Sequence, residues 1–214
     1  MRIIYEDEYI IVCHKEAGEL SEGDTEGCLP YILSRHLEDN CERRSAVFVV
    51  HRLDRETEGV IVYAKDSRSA AALSEDIREG RFSKQYFALC HGELEEKQGT
   101  MNDLLYYDRR KGKSFVVDRK RTGVKDAALE YEVLSFDGSC SLVRIKLLTG
   151  RTHQIRVQFA SRKHPLLGDR RYGAPKDGYT GIALLSHSIE FKHPKTKKVI
   201  SFVADESKFN EQRD

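Results

Sequence analysis

The sequence predicts an α+β fold: a single domain built on a largely antiparallel, mixed β-sheet flanked by helices. Three observations predict it. β-rich segments outnumber helical ones, most connections between them are short and hairpin-like, and neither a linker nor an internal repeat divides the chain. The domain is expected over residues 1–204, with 205–214 as a charged, frayed tail.

Taken in order, RIIYE and YIIVCHK read as two strands joined by a turn at Asp7-Glu8. A Gly- and Glu-rich loop, Gly18 to Gly27, separates them from LPYILSRHLED, where Leu29, Ile32, Leu33 and Leu37 fall at helical spacing. VIVYA (Val60–Ala64) reads as a strand. Asp66 then serves as N-cap for SRSAAALSEDIREG, in which Ala70, Leu73 and Ile77 form an apolar stripe and Gly80 is the stop. KQYFALCHG is a strand, and SFVVD suggests one arm of a hairpin. LEYEVLSF and SLVRIKLLT are joined through Asp137-Gly138, a strong hairpin signal. Gly150 breaks the second of these strands. Thr152 is expected to cap a helix reaching to about Lys163, with Ile155 and Phe159 on one face. IALLSHSIEF and KVISFVA close the fold as strands.

Composition narrows the function. The 214 residues carry 36 Lys+Arg against 35 Asp+Glu, and 39% are hydrophobic, enough to build a core. The longest apolar runs, such as VFVV at Val47–Val50, fall far short of the roughly 20 residues that span a bilayer. MRIIYEDEYIIV places acids where a secretory leader would be basic and then apolar, so a cytoplasmic protein without a membrane partner is expected. Cys13, Cys28, Cys41, Cys90 and Cys140 are odd in number, so they cannot all pair, and form no C-x-x-C, which makes a disulfide framework and a zinc ribbon poor fits. Cys90, within YFALC, is read as a packing residue.

The near-zero net charge conceals segregation. Between Glu16 and Arg44 stand eight acids against Arg35, Arg43 and Arg44. Between Arg109 and Lys125 the balance inverts, with Arg109, Arg110, Lys111, Lys113, Arg119, Lys120, Arg121 and Lys125 against Asp118 alone. Such a block suits a polyanion, and equally suits a solvated hairpin edge.

Chemistry concentrates in two segments. In HRLDRETEGVIVYAK, Asp54 sits between Arg52 and Arg55 in a loop, and flanking guanidinium groups keep a carboxylate ionised. That suits a nucleophile or an electrostatic stabiliser, and a structural Arg–Asp clasp would look the same from spacing. His51 reads as a hydrogen-bonded loop histidine. In TGRTHQIRVQFASRKHPLLGDRRYG, Arg156 lies among Ile155, Val157 and Phe159, so it is half-buried and needs a carboxylate partner, Asp54 foremost. His153 and His164 are eleven apart with no carboxylate at ligand spacing between them, and no metal is expected there.

HRLDRETEG followed by VIVYAK, then KQYFALCHG, then LLTGRTHQIRVQFASRKHPLLGDRRYG, resembles the RluA family of RNA pseudouridine synthases from the opening IIYEDEYIIVCHK to about Ala204. The resemblance is to the minimal form, without the extra N-terminal RNA-binding domain. It implies an isomerase that converts specific uridines of structured RNA, rRNA or tRNA, to pseudouridine with no cofactor and no metal. A stem-loop target is expected from the lack of a second binding domain, and a monomer is the default expectation. The resemblance assigns Asp54 as the catalytic aspartate, which acts on the sugar or base while the glycosidic bond breaks. The detached uracil then turns and rejoins through C5. Arg52 matches the arginine that fills the space left by the flipped nucleotide, Tyr86 the tyrosine that packs on the uracil, and Arg156 the basic residue that pairs with the catalytic aspartate. A flipped base needs its vacated site filled, and a flat guanidinium does that by stacking. Read alone, Tyr86 would be a core aromatic and Arg52 a surface residue. The basic block, from Arg109 to Lys125, would then contact RNA phosphates. Four departures stand out: Glu58 where Ser or Thr is usual, Glu16 in place of proline, Lys163 in place of glycine before His164-Pro165, and Ser186-His187-Ser188 in place of Leu-His-Ala.

Overall fold

The computed structural model describes residues 1–40, 46–176, 178–207 and 209. Cys41, Glu42, Arg43 and Arg44, and most of the tail expected from residue 205, therefore lie outside the described residues. The chain forms two compact units. The first comprises Met1–Lys84 and Leu185–Lys208, and the second Gln85–Leu184 with Phe209–Asp214.

In the first unit, β1 (Arg2–Glu6) and β2 (Ile10–Lys15) form the expected hairpin, with Asp7 Oδ1 accepting from the Tyr9 and Ile10 amides at 2.8 and 2.9 Å. β2 pairs antiparallel with β4 (Glu58–Ala64) from Ile10↔Ala64 to Lys15↔Gly59. A two-residue strand, β3 (Phe48–Val49), lies on the other edge of β4. β10 (Leu184–Lys192) pairs parallel with β4 at Leu185↔Glu58 and Ser186↔Gly59, then antiparallel with β11 (Val199–Val203). Gly59 is required at that parallel join. Its φ is +116°, and a Cβ there would lie 2.3 Å from the Ser186 carbonyl oxygen.

Helices α1 (Leu29–Asp39) and α2 (Ser67–Arg78) belong to this unit. α1 starts at Cys28 without a side-chain cap and has Pro30 in its first turn, where the missing N–H costs nothing. It buries Leu29, Leu33 and Leu37. α2 is capped by Asp66 as expected, through the Arg68 and Ser69 amides at 2.8 and 3.0 Å. It buries Leu73, and Gly80 follows with φ +70°.

The second unit is antiparallel, in the order β5 (Ser83–His91), β9 (Cys140–Leu147), β8 (Val124–Phe136), β6 (Gln98–Asp108), β7 (Lys113–Val117). The β8–β9 hairpin turns through Asp137, whose Oδ1 accepts from the Ser139 and Cys140 amides at 2.8 Å each. β6 was not expected from the sequence, and the basic block proves to be the β6–β7 hairpin and its continuation into β8. α3 (Gln154–Ser161) is shorter than predicted, and Thr152 is not its cap. His153 takes that place with φ 55°, a left-handed conformation uncommon outside glycine. The expected α+β, mainly antiparallel architecture is what forms, with β4–β10 as its parallel pairing. No helix among the described residues is long and apolar enough to cross a membrane.

Candidate active site

Asp54 lies in the turn between β3 and β4, partly buried, with its carbonyl accepting from the Thr57 amide at 3.1 Å. The turn is tied down by side chains remote in sequence. Lys15 at the end of β2 is fully buried, and its Nζ donates to the carbonyls of Glu16 (3.0 Å), Arg55 (2.9 Å) and Thr57 (2.7 Å). Burial pulls the Lys15 ammonium down to about 8, opposed by the negative charges of Glu19, Asp54, Glu56 and Glu58. Ser21 Oγ grips Leu53 from both sides, accepting from its amide at 3.2 Å and donating to its carbonyl at 2.8 Å. The Tyr63 hydroxyl donates to the Ser21 carbonyl at 3.0 Å and so fixes Ser21 in turn. The carboxylate is thus carried on a backbone path held from the adjacent residue, Leu53, and from two residues that follow it.

Arg52 is exposed, with Nη1 2.6 Å from Glu22 Oε1 in the acidic loop. A flexible, solvent-facing guanidinium of this kind can leave its carboxylate at low cost. His51 is buried, as its reading as a hydrogen-bonded loop histidine requires, and its Nε2 accepts from the Val62 amide at 3.2 Å. Glu58 opens β4.

In the second unit, Tyr86 sits on β5 opposite Ile145 and is 5% exposed. Arg156 on α3 is 2% exposed, more deeply buried than the sequence suggested. Its bidentate carboxylate is Asp169, with Nε–Oδ2 at 2.7 Å and Nη2–Oδ1 at 2.9 Å. The guanidinium also lies 5.2 Å from the Tyr172 ring centroid. The Tyr172 hydroxyl accepts from the Ser114 amide at 2.8 Å and meets His153 Nδ1 at 3.0 Å; burial pushes its pKa to about 12. Asp169 and Tyr172 stand in GDRRYG, inside a segment the sequence singled out, yet neither was picked. The buried guanidinium was itself the signal that an acid must be close.

The basic residues behave as a solvated hairpin. Arg109, Arg110, Lys111, Arg119, Lys120 and Arg121 are exposed, and Lys113 is partly buried, donating to the Arg171 carbonyl at 2.6 Å. Arg121 covers the Tyr106 ring at 5.1 Å, and Lys120 reaches Asp126 at 3.0 Å. Cys90 is fully buried and its thiol is pushed up to about 12 by burial, as its packing reading requires. His164 Nδ1 lies 2.9 Å from the His91 carbonyl oxygen. Among the described residues, donors suited to a divalent cation group at His14, Glu16 and Glu58, whose ligand atoms lie within 4.8 Å of one another. His14 and Glu16 stand two apart at the end of β2, and Glu58 joins them only through the pairing of β2 with β4.

Residues 9–161 match the family described as RNA pseudouridylate synthase. The chain is 34% identical over 204 residues to an uncharacterized RNA pseudouridine synthase of Mycoplasma pneumoniae, covering 94% of this chain and 65% of that protein. It is 34% identical over 198 residues to ribosomal large subunit pseudouridine synthase D of Borreliella burgdorferi, covering 89% and 60%. The chain therefore spans somewhat less than two thirds of the length of these relatives. In fold it is similar to human RNA pseudouridylate synthase domain containing 4, with a TM-score of 0.78 at 23% identity over 95% of this chain and 88% of that one. The family match over most of the chain and the motifs from HRLD to GDRRYG agree: this chain belongs to the RNA pseudouridylate synthase family.

Proposed function

We propose that this protein is an RNA pseudouridine synthase that isomerises specific uridines in structured RNA, with Asp54 as its catalytic aspartate. The observation that carries the reading is the Asp54 turn. A carboxylate on a backbone held by Lys15 and Ser21 is pre-organised in the way a reacting group must be. Asp54 acts on the target uridine while the bond from C1′ to the base nitrogen N1 breaks. The uracil turns, a new bond forms from C1′ to C5, and the proton on C5 is lost while N1 gains one. Atoms and electrons are conserved, so the reading calls for neither an oxidant nor a metal.

The remaining roles follow the family pattern. Arg52 fills the space left by the flipped nucleotide, Tyr86 packs on the uracil, and Arg156 supplies positive charge for the aspartate. Asp169 fixes the orientation of Arg156. Arg109, Arg110, Lys111, Lys113, Arg119, Lys120 and Arg121 contact phosphates. The relatives named for the large ribosomal subunit make rRNA the first substrate class to test, with tRNA second. The protein is taken to work as a cytoplasmic monomer.

The test uses RNA from cells lacking the gene, incubated with wild type or with Asp54→Ala. Pseudouridines are mapped by carbodiimide modification and primer extension. A new stop with wild type alone is expected. Pseudouridine formed by Asp54→Ala would remove Asp54 from its role, and no new stop with wild type on rRNA or tRNA would overturn the activity.

A further inference from the structure

On one side, β4 is paired along its length by β2. On its other side it changes partner partway. β10 pairs at Glu58 and Gly59, and β3 pairs at Tyr63 and Ala64. Neither strand is in register with Val60 to Val62, yet buried backbone polar groups need partners. Two side chains supply them. The Val60 carbonyl accepts from Ser186 Oγ at 3.0 Å, and the Val62 amide donates to His51 Nε2 at 3.2 Å. His51 thus takes the place of the strand partner that Val62 lacks.

This bond dictates the chemical state of the ring. A nitrogen that accepts from an amide must present a lone pair, so Nε2 is unprotonated and the single ring proton is on Nδ1. Burial first, and the positive charge of Lys84 second, depress the His51 pKa to about 3. The ring packs against Phe82 at 5.3 Å between centroids, and Phe82 stacks on Phe191 at 5.0 Å. Nδ1 is buried without a hydrogen-bond partner among the described residues, so the ring's one polar contact is the bond to Val62.

His51 is also where the chain leaves the sheet to form the Asp54 turn. We propose that His51 is a positioning residue for Asp54: as a neutral acceptor it pins the start of the turn to β4, as Lys15 pins its end. The proposal deepens the pseudouridine synthase reading and rests on it for the role of Asp54. It also accounts for a ring nitrogen at this point rather than a hydroxyl. Nε2 lies at the far end of a ring that fills the space against Phe82, a position that serine or asparagine is too short to reach.

Two substitutions separate the acceptor from the packing. His51→Phe keeps the ring and loses the acceptor; His51→Gln keeps an acceptor at similar reach and loses the ring. Amide hydrogen exchange at Val62 and over residues 52–57 is measured together with turnover on the RNA that wild type modifies. His51→Phe is expected to lose protection at Val62 and through the turn. Its kcat should fall on the order of 10- to 100-fold with KM within about twofold, since displacement of a reacting group by about 1 Å costs about a hundredfold. His51→Gln should restore both protection and kcat to within a few-fold of wild type. Unchanged exchange in His51→Phe would overturn the proposal, and so would loss of protection with kcat intact. If wild type modifies no RNA, the enzymatic reading fails on that result alone, and exchange at Val62 and over 52–57 still decides whether His51 holds the turn.

Discussion

Lys15 in the first unit and Arg156 in the second are both buried cations, and the two are stabilised in opposite ways. Arg156 is 2% exposed and meets a carboxylate through two parallel bonds of 2.7 and 2.9 Å, so charge is cancelled by charge. Lys15 is fully buried and donates to three backbone carbonyls, so its charge is spread over peptide dipoles. The first arrangement fixes where a charge points. The second fixes where a backbone runs, because the acceptors belong to the turn that carries Asp54. A residue that grips carbonyls can position a neighbour without touching it, and nothing in its own local sequence declares the task.

Breaking the charge pair has the largest expected effect. Asp169→Ala leaves a buried guanidinium without its bidentate partner and should destabilise the protein by about 3–5 kcal/mol. Urea unfolding measures it, and a loss under about 1 kcal/mol would mean that the pair contributes no more than an exposed one. Lys15→Met keeps the buried volume but strands carbonyl acceptors, which should cost about 2–3 kcal/mol. If Lys15 acts on Asp54, turnover at a temperature where the variant remains folded should fall about a hundredfold. A stable Lys15→Met with wild-type kcat would show that the clamp serves stability alone.

The third prediction concerns pH. His51 ordinarily titrates at 6.5 and is lowered to about 3 in the folded protein. Between these values the unfolded chain binds a proton that the folded one does not. Its contribution is therefore complete above pH 6.5 and is lost as pH falls toward 3, with a slope of about 1.4 kcal/mol per pH unit. Unfolding of wild type and His51→Gln at pH 7 and pH 5 isolates that slope, and parallel curves would contradict a buried neutral ring. The smallest effect on stability is expected on the β6–β7 hairpin. Reversing Arg119, Lys120 and Arg121, all exposed, should leave the unfolding midpoint in place. RNA binding should weaken, and the slope of log affinity against log salt should drop by about two to three. An unchanged slope would place the phosphate contacts elsewhere.

Local signals carried much of the fold. Asp7-Glu8 and Asp137-Gly138 announced their hairpins, and Asp66 announced α2, because a turn or a cap is decided within four residues. β6 escaped because Asn102 and Asp103 interrupt its apolar residues, and pairing with β7 and β8 on its two sides stabilises it regardless. The start of α3 was misplaced for a related reason. Thr152 is a good cap by composition, but the chain turns at His153 in a left-handed conformation that composition does not encode. In the site, Asp54 stood out within HRLD, while His51 read only as a structural loop histidine. The supports of Asp54 did not stand out: Lys15 reaches the Thr57 carbonyl across 42 residues, and Ser21 reaches Leu53 across 32. Contacts of that span are set by the assembled sheet.

The parallel join at Gly59 has a consequence for how the protein is made. Ser186 Oγ and the Val60 carbonyl are partners 126 residues apart in sequence, with the whole Gln85–Leu184 segment between them. During synthesis the first unit emerges with β4 open along one edge, and it stays incomplete until β10 leaves the ribosome. The inserted segment is contiguous and can close its antiparallel sheet first. Until then Glu58, Gly59 and the Val60 carbonyl lack the partners that β10 brings, and that stretch of the strand edge is open to its surroundings. The brief β3 and the ring of His51, both encoded before β4, cover part of that edge from the start.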